Sequence, residues 1–87
     1  MTSELSKIVG KELMLLRRDK NLSNNELSEK SKVASSTISR YEQGKNRMNL
    51  DTIVKLTTAC DTDICIFFEN CIAKLQQEKE KNSYLKK

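Results

Sequence analysis

The sequence predicts an all-α fold, and three observations favour it. Apolar residues recur at the three- and four-residue spacing of helices over most of the chain. Strand-type alternation is absent, and the 87 residues include no proline and only two glycines. A chain of this length forms one domain with a core too small for an elaborate active site. The sequence therefore indicates a small helical domain that acts through its surface.

The first predicted helix runs from about Ser3 to Lys20 and ends at Asn21, a residue type that tolerates the left-handed conformation of helix ends. Gly10 lies inside this helix at a cost of about 1 kcal/mol relative to alanine, so we expect a neighbouring element to pack closely there. The core side of the helix is predicted to consist of Leu5, Ile8, Val9, Leu13 and Leu16, widened by Met14 and Leu15.

Two short helices are predicted between Ser23 and Glu42. Ser23 and Glu26 have the spacing of a capping box, which fixes the start of the second helix. The N-cap of the third helix is predicted at Ala34 or, because alanine is a poor cap, at Ser35 with a start shifted by one residue. Lys32 lies in the turn between them, and a positive φ there would cost about 1 kcal/mol.

The third helix has one apolar side and one polar side. Val33, Ile38 and Tyr41 have the spacing of a buried side, so the opposite side is expected to face outward. A solvated surface explains small polar residues equally well, but serine can hydrogen-bond bases and arginine can bind guanine through two hydrogen bonds. The outward or flanking residues are Ser35, Ser36, Ser39, Arg40 and Gln43.

The last two predicted helices follow a short basic loop. Gly44 is expected to end the third helix, and Asn49 and Asp63 are expected to cap the fourth and fifth. The loop, Lys45 to Arg47, suits phosphate contact, although a merely soluble loop is the alternative. A broad apolar stripe on the fifth helix predicts that it serves both the core and a second copy of the chain. The stripe consists of Ile64, Phe67, Phe68, Cys71, Ile72 and Leu75.

Charge is segregated along the chain: residues 1–47 carry +4, residues 48–69 carry −3 and residues 70–87 carry +3. A basic half of this kind suits a polyanion, although a solvated tail explains the last segment as well. We divide the chain into a domain over residues 1–69 and a C-terminal helical extension with a polar tail over residues 70–87. Beyond the fifth-helix stripe, we expect a fraying helix or disorder.

Several function classes are disfavoured. Histidine is absent, no glycine-rich phosphate loop can form, and the cysteines lack a base partner, so we expect no enzyme and no cofactor. Cys60, Cys65 and Cys71 lack the paired spacing of a zinc site or a disulfide framework, which favours the reducing cytoplasm. Neither a signal peptide nor a membrane span is expected.

The combined pattern resembles the Cro- and phage-repressor-like (XRE) helix-turn-helix family over about residues 8–69. Lys32, Ala34 and Met48 depart from the usual residues of the turn, the cap and the fourth-helix entry. Small size and the fifth-helix pattern resemble restriction–modification controllers and small phage or plasmid repressors. The matching residues are Val9, Gly10, Leu13, Arg17, Leu22, Ser23, Glu26, Leu27, Val33, Ser36, Thr37, Ile38, Ser39, Arg40, Glu42, Gly44, Leu50, Ile53, Leu56, Ala59, Phe67 and Phe68.

The resemblance implies a five-helix lambda-repressor-like domain that binds double-stranded DNA as a homodimer on a near-palindromic operator. It implies an ion pair between Arg17 and Glu42. From the apolar stripe, the dimer interface is assigned to Ile64, Phe67, Phe68, Cys71 and Leu75. The alternative is an antitoxin-type or protein-interaction module with the same DNA-binding helix. Base contact is assigned to Ser35, Ser36, Thr37 and Arg40. Phosphate contact is assigned to Asn24, Ser39, Gln43, Lys45, Asn46 and Arg47.

Overall fold

The computed structural model describes residues 4–85, with side chains through residue 77, and the described residues form five helices and no strand. The first helix packs against the third and the fifth, the second against the third and the fourth, and the fourth against the fifth. The prediction of an all-α, five-helix domain is confirmed. The helices are α1 (Glu4–Asp19), α2 (Asn24–Ser31), α3 (Ser35–Glu42), α4 (Leu50–Ala59) and α5 (Ile64–Leu85).

Side chains cap three of the helix starts, as predicted. The Glu26 backbone N–H donates to Ser23 Oγ at 3.1 Å, and the Ser23 backbone N–H donates to Glu26 Oε1 at 2.9 Å. This hydrogen bond from the Ser23 backbone is the main reason why the pKa of Glu26 lies below its ordinary value. Asn49 and Asp63 accept from the first turns of α4 and α5 at 2.8 and 2.7 Å. These caps satisfy N–H groups that have no partner within a helix.

Four residues with positive φ end the first four helices: Asn21, Lys32, Gly44 and Asp61, at 57°, 63°, 72° and 53°. After Asn21, Gly44 and Asp61, the next backbone N–H reaches back five residues to a helix carbonyl, at 2.9 to 3.1 Å. This is the Schellman arrangement, which satisfies the last carbonyl groups of a helix. Lys32 has the positive φ that its place in the turn suggested, at a cost of about 1 kcal/mol.

The core lies where α1, α3, α4 and α5 meet, with α2 closing one side. Each helix contributes one or more side chains with almost no exposed surface. Thr57 is also buried, and its hydroxyl donates to the Ile53 carbonyl at 2.9 Å, so burial leaves no unpaired donor there. The buried apolar residues are Val9, Leu13, Leu27, Ile38, Tyr41, Ile53, Leu56, Cys60, Phe67 and Cys71.

Gly10 lies where α1 crosses the end of α3. A Cβ atom at this position would lie 1.9 Å from the Tyr41 carbonyl oxygen. The prediction that Gly10 permits close packing is confirmed. Because the obstructing atom belongs to the backbone of α3, a side chain here requires the two helices to separate.

The structure differs from the sequence-based expectations on α1. Leu5 and Leu15 were assigned to the core side of this helix, but they are 48 % and 45 % exposed. The N-cap of α3 is Ala34, one of the two predicted positions, and it makes no side-chain hydrogen bond. α5 continues as one helix to Leu85, so it runs from the proposed domain into the proposed C-terminal extension. Residues 86 and 87 lie outside the described residues.

The three cysteines are free thiols: Cys60 and Cys71 are buried, and Cys65 is exposed. Within residues 4–85, no group of three or more acidic, cysteine or histidine side chains is arranged to hold a metal ion. No helix in the same described region is long and apolar enough to cross a membrane.

Candidate nucleic-acid interface

One side of α3 is fixed in the core, and the opposite side is exposed. Ile38 has no exposed surface and Tyr41 is 8 % exposed. Ser36 and Arg40 are exposed on the outer side of α3, and Gln43, the C-cap residue that follows the helix, is exposed three positions further on. We call these three residues the recognition face. Among the described residues, none holds the Arg40 guanidinium in a hydrogen bond or an ion pair.

The other residues assigned to base contact occupy the edges of this face. Ser35 and Thr37 are half-buried and lie on either side of the exposed Ser36. Gln43 was assigned to phosphate, but it lies one turn beyond Arg40 on the same side of the chain. A glutamine can form two hydrogen bonds with adenine, so the third member of the face is also suited to base contact.

Arg17, in the last turn of α1, joins α1 to the end of α3. Its Nε donates to Glu42 Oε2 at 2.7 Å, and a terminal nitrogen donates to Glu42 Oε1 at 3.0 Å. The other terminal nitrogen donates to the Leu22 carbonyl oxygen at 3.0 Å. The two side chains are 14 % and 8 % exposed, and the hydrogen bond with Glu42 is the main reason why the pKa of Arg17 is raised. A pair bonded at two points fixes orientation as well as distance.

Asn24 and Ser39, both assigned to phosphate contact, are bonded to each other. Asn24 Nδ2 donates to Ser39 Oγ at 2.7 Å, which joins the start of α2 to the middle of α3. The Asn24 Oδ1 atom is buried and has no hydrogen-bond partner among the described residues. Nothing in the sequence pointed to this contact, because the two residues are fifteen positions apart.

The basic loop follows α3 directly. Lys45, Asn46 and Arg47 are exposed, as phosphate ligands must be. Arg47 also lines a cleft on the side of the domain formed by α1, α4 and α5, beside Leu5, Leu50 and Phe68. The loop therefore connects the end of the recognition face to an apolar cleft.

Comparison with known proteins identifies the family. The sequence model of the helix-turn-helix family matches residues 13–67, which include all of α2, α3 and α4. This chain belongs to the XRE-type helix-turn-helix family. An uncharacterized HTH-type transcriptional regulator from Rickettsia conorii is 32 % identical over 66 residues, which are 76 % of this chain and 53 % of that protein. The chain thus spans about half the length of that relative.

Solved structures share the fold of this helix-turn-helix protein. The clp gene regulator ClgR from Corynebacterium glutamicum matches with a TM-score of 0.81 at 21 % identity, over 98 % of this chain and 93 % of that chain. The wild-type restriction–modification controller protein C.Esp1396I gives 0.79 at 20 % identity, over 84 % and 94 %. The controller C.AhdI from Aeromonas hydrophila gives 0.65 at 33 % identity, over 67 % and 88 %. The chain shares its five-helix fold with these proteins.

The residues assigned to a dimer interface on α5 differ in exposure. Phe67 and Cys71 are 2 % and 1 % exposed and fill the core of this helix-turn-helix domain. Ile64, Phe68 and Leu75 are half-buried. Apolar residues outside that assignment are more exposed: Leu50, Val54, Ile66 and Ile72, at 65 %, 45 %, 55 % and 52 %.

Proposed function

We propose that this chain is a sequence-specific DNA-binding transcription regulator, a repressor or a controller, that inserts α3 into the major groove. The observation that carries the proposal is the two-sided structure of α3. Ile38 and Tyr41 fix the helix in the core, while Ser36, Arg40 and Gln43 project from it. The major groove of B-DNA is about 12 Å wide and admits one helix that carries such side chains.

The recognition face supplies the chemistry of base contact. Arg40 can bind the O6 and N7 atoms of guanine, Gln43 can bind adenine, and Ser36 can bond either type of base. The exposed cations Lys45 and Arg47 supply phosphate contacts, which give affinity without sequence preference and weaken in salt. We expect the protein to bind DNA in the cytoplasm and not to act as an enzyme.

We propose further that two copies bind one operator as a homodimer. The similar structures are those of a gene regulator and a controller protein, functions that suit a dimer on a near-palindromic site. The surface that supports this proposal is apolar and largely exposed, and we call it the α4–α5 patch. It consists of the exposed Leu50 and Val54 from α4 and, from α5, the exposed Ile72 and the half-buried Phe68. Scattered exposed apolar residues are ordinary, but Leu50 and Phe68 line one cleft, which brings the two helices of the patch together.

Selection of bound sequences from random double-stranded DNA tests the proposal. We expect an enriched inverted repeat whose half-sites lie about 34 Å apart, one turn of B-DNA. Enrichment of a single unpaired half-site would disprove the homodimer but not DNA recognition. No enrichment above the input pool would disprove sequence-specific binding.

Two arginine variants then test the assignment of roles. Arg40→Ala should reduce discrimination against a changed base in the operator by about 1–3 kcal/mol, because it removes a guanine contact. Arg47→Ala should weaken binding to all sequences alike and lower the salt slope by about one, because it removes a phosphate contact. Titration of both variants against operator and scrambled DNA measures these effects. Unchanged discrimination in Arg40→Ala would reject its assigned role.

A further inference from the structure

The hydrogen bond between Asn24 and Ser39 crosses the helix-turn-helix itself. Asn24 is the first residue of α2, and Ser39 lies in the middle of α3. Both side chains are half-buried, and the distance from Nδ2 to Oγ is 2.7 Å. The contact therefore links the helix that supports α3 to the helix that carries the recognition face.

A second contact lies one turn away on the same helix. Ser39 and Glu42 are three residues apart, so their side chains leave α3 on neighbouring sides. Glu42 is held by Arg17, which also donates to the Leu22 carbonyl oxygen. Arg17, Leu22 and Asn24 belong to the end of α1, the connection and the start of α2, and we call these three residues the polar frame. The frame holds α3 at two points.

The stability of the domain does not explain the Asn24 side chain. Its Oδ1 atom is buried without a partner among the described residues, and such an atom destabilises the folded chain. If the Asn24 side-chain amide is rotated by 180°, the Ser39 hydroxyl can donate to Asn24 Oδ1. The Asn24 Nδ2 atom then occupies the buried position that has no partner. Either orientation leaves one polar group unpaired. Alanine would remove that cost, so the contact with Ser39 is expected to serve something other than folding.

We infer that Asn24 and Ser39 act as one positioning unit that sets the angle at which α3 presents Ser36 and Arg40 to DNA. This inference rests on the proposed function. It is an alternative to the assignment of the two residues as separate phosphate ligands, because one N–H of the Asn24 amide is already donated to Ser39 Oγ. Neither residue needs to touch DNA: they act through the orientation of the recognition face.

A double-mutant cycle tests the inference. Asn24→Ala, Ser39→Ala and the double variant are titrated against the selected operator and against scrambled DNA over a salt series. We expect each single variant to lose about tenfold in operator affinity, and the double variant to lose no more than either, because the two residues form one contact. Affinity for scrambled DNA and the salt slope should stay at wild-type values. The separate variant Ser39→Thr retains the hydroxyl and should bind the operator with wild-type affinity.

Independent phosphate ligands give a different result. The losses would then multiply in the double variant, and each substitution would lower the salt slope by up to about one unit. That outcome, with a wild-type protein that selects an operator, overturns the inference and leaves the proposed function intact. A wild-type protein that selects no operator overturns both. Thermal unfolding of all variants checks that any loss of binding is not a loss of fold, and Ser39→Thr provides the folded comparison if an alanine variant unfolds.

Discussion

Single residues decide how closely the helices of this domain approach each other. Gly10 is the clearest case, because a Cβ atom there would meet the Tyr41 carbonyl oxygen at 1.9 Å. At an exposed helix position, replacing glycine with alanine stabilises a protein by about 1 kcal/mol. At this crossing the sign should reverse. Gly10→Ala is expected to destabilise the domain by about 1–3 kcal/mol, because α1 must move away from α3.

Urea unfolding measures this effect, and Lys11→Ala is the matched control. Lys11 is the next residue of α1 and is exposed, so its substitution should change the free energy of unfolding by less than about 0.5 kcal/mol. A Gly10→Ala protein as stable as the wild type would mean that α1 and α3 are not in such close contact.

Lys32 is a non-glycine residue in a conformation that glycine adopts freely. Its φ of 63° ends α2, and its backbone N–H donates to the Ser28 carbonyl oxygen at 2.9 Å. Lys32→Gly should therefore stabilise the domain by about 0.5–1 kcal/mol. The same change at Lys30, inside the last turn of α2, should destabilise it by a similar amount. Thermal unfolding of the two variants should shift the midpoint in opposite directions.

Buried thiols predict a loss of stability at high pH. Burial, followed by the charge of Glu12, raises the pKa of Cys71 to about 11 from an ordinary value of 9.0, and burial also raises the pKa of Cys60. A raised thiol pKa favours the neutral form in the folded state. The contribution of these neutral thiols to the free energy of unfolding is therefore complete below pH 9. It is lost as the pH rises toward 11, by on the order of 1 kcal/mol per pH unit.

Urea unfolding at several pH values checks this prediction, with Cys71→Ala as the comparison. The variant is less stable at neutral pH, because it leaves a cavity, but its stability should fall less steeply between pH 9 and pH 11. Equal slopes in the two proteins would exclude Cys71 as a source of the pH dependence.

At the scale of elements, the orientation of α3 depends on the ion pair between Arg17 and Glu42. Substituting only one of the two residues leaves the other charge without a partner. Arg17→Met leaves the Glu42 carboxylate buried without its partner and should cost on the order of 3 kcal/mol. Adding Glu42→Met removes the stranded charge and should restore most of that stability. The unfolding free energies of the two single variants and the double variant give the coupling directly. Additive losses would show that the pair is not coupled.

Element ends were predictable because they depend on residues close in sequence. The Ser23–Glu26 box, the Asn49 cap and the left-handed residue Asn21 each act within five positions of the chain. Contacts between helices were not predictable in the same way. The bond between Asn24 and Ser39 depends on the angle between α2 and α3, which spacing alone does not give.

The fifth helix shows the same limit. A wide apolar stripe identifies the side of the helix that is removed from water. Periodicity alone does not show which of its residues pack in the core and which contact a partner. Phe67 and Cys71 lie at the centre of the stripe and fill the core, whereas Ile72 lies at its edge and is exposed. Residue spacing predicted the order of the helices and the outward side of α3, whereas the three-dimensional fold was needed to show which residues of the stripe are buried.

At the scale of the whole molecule, the α4–α5 patch predicts the oligomeric state. Ile72→Glu should shift a dimer toward monomer without unfolding it, because the side chain is 52 % exposed in the single chain. Ile66→Glu is the matched control, since Ile66 is 55 % exposed but lies about 120° away around α5. Sedimentation equilibrium should show dissociation for the Ile72 variant only. Dissociation of both, or of neither, would place the interface elsewhere.

The two-sided structure of α3 also bears on how such a protein can acquire new targets. Ser36, Arg40 and Gln43 are exposed, while Ile38, Tyr41 and Glu42 hold the helix in place. Substitutions in the first group leave the second unchanged. Under the proposed function, the operator preference can therefore diverge between duplicated copies while the scaffold is retained. A library randomised at the three outer positions should contain mostly folded members, each a candidate for a different promoter.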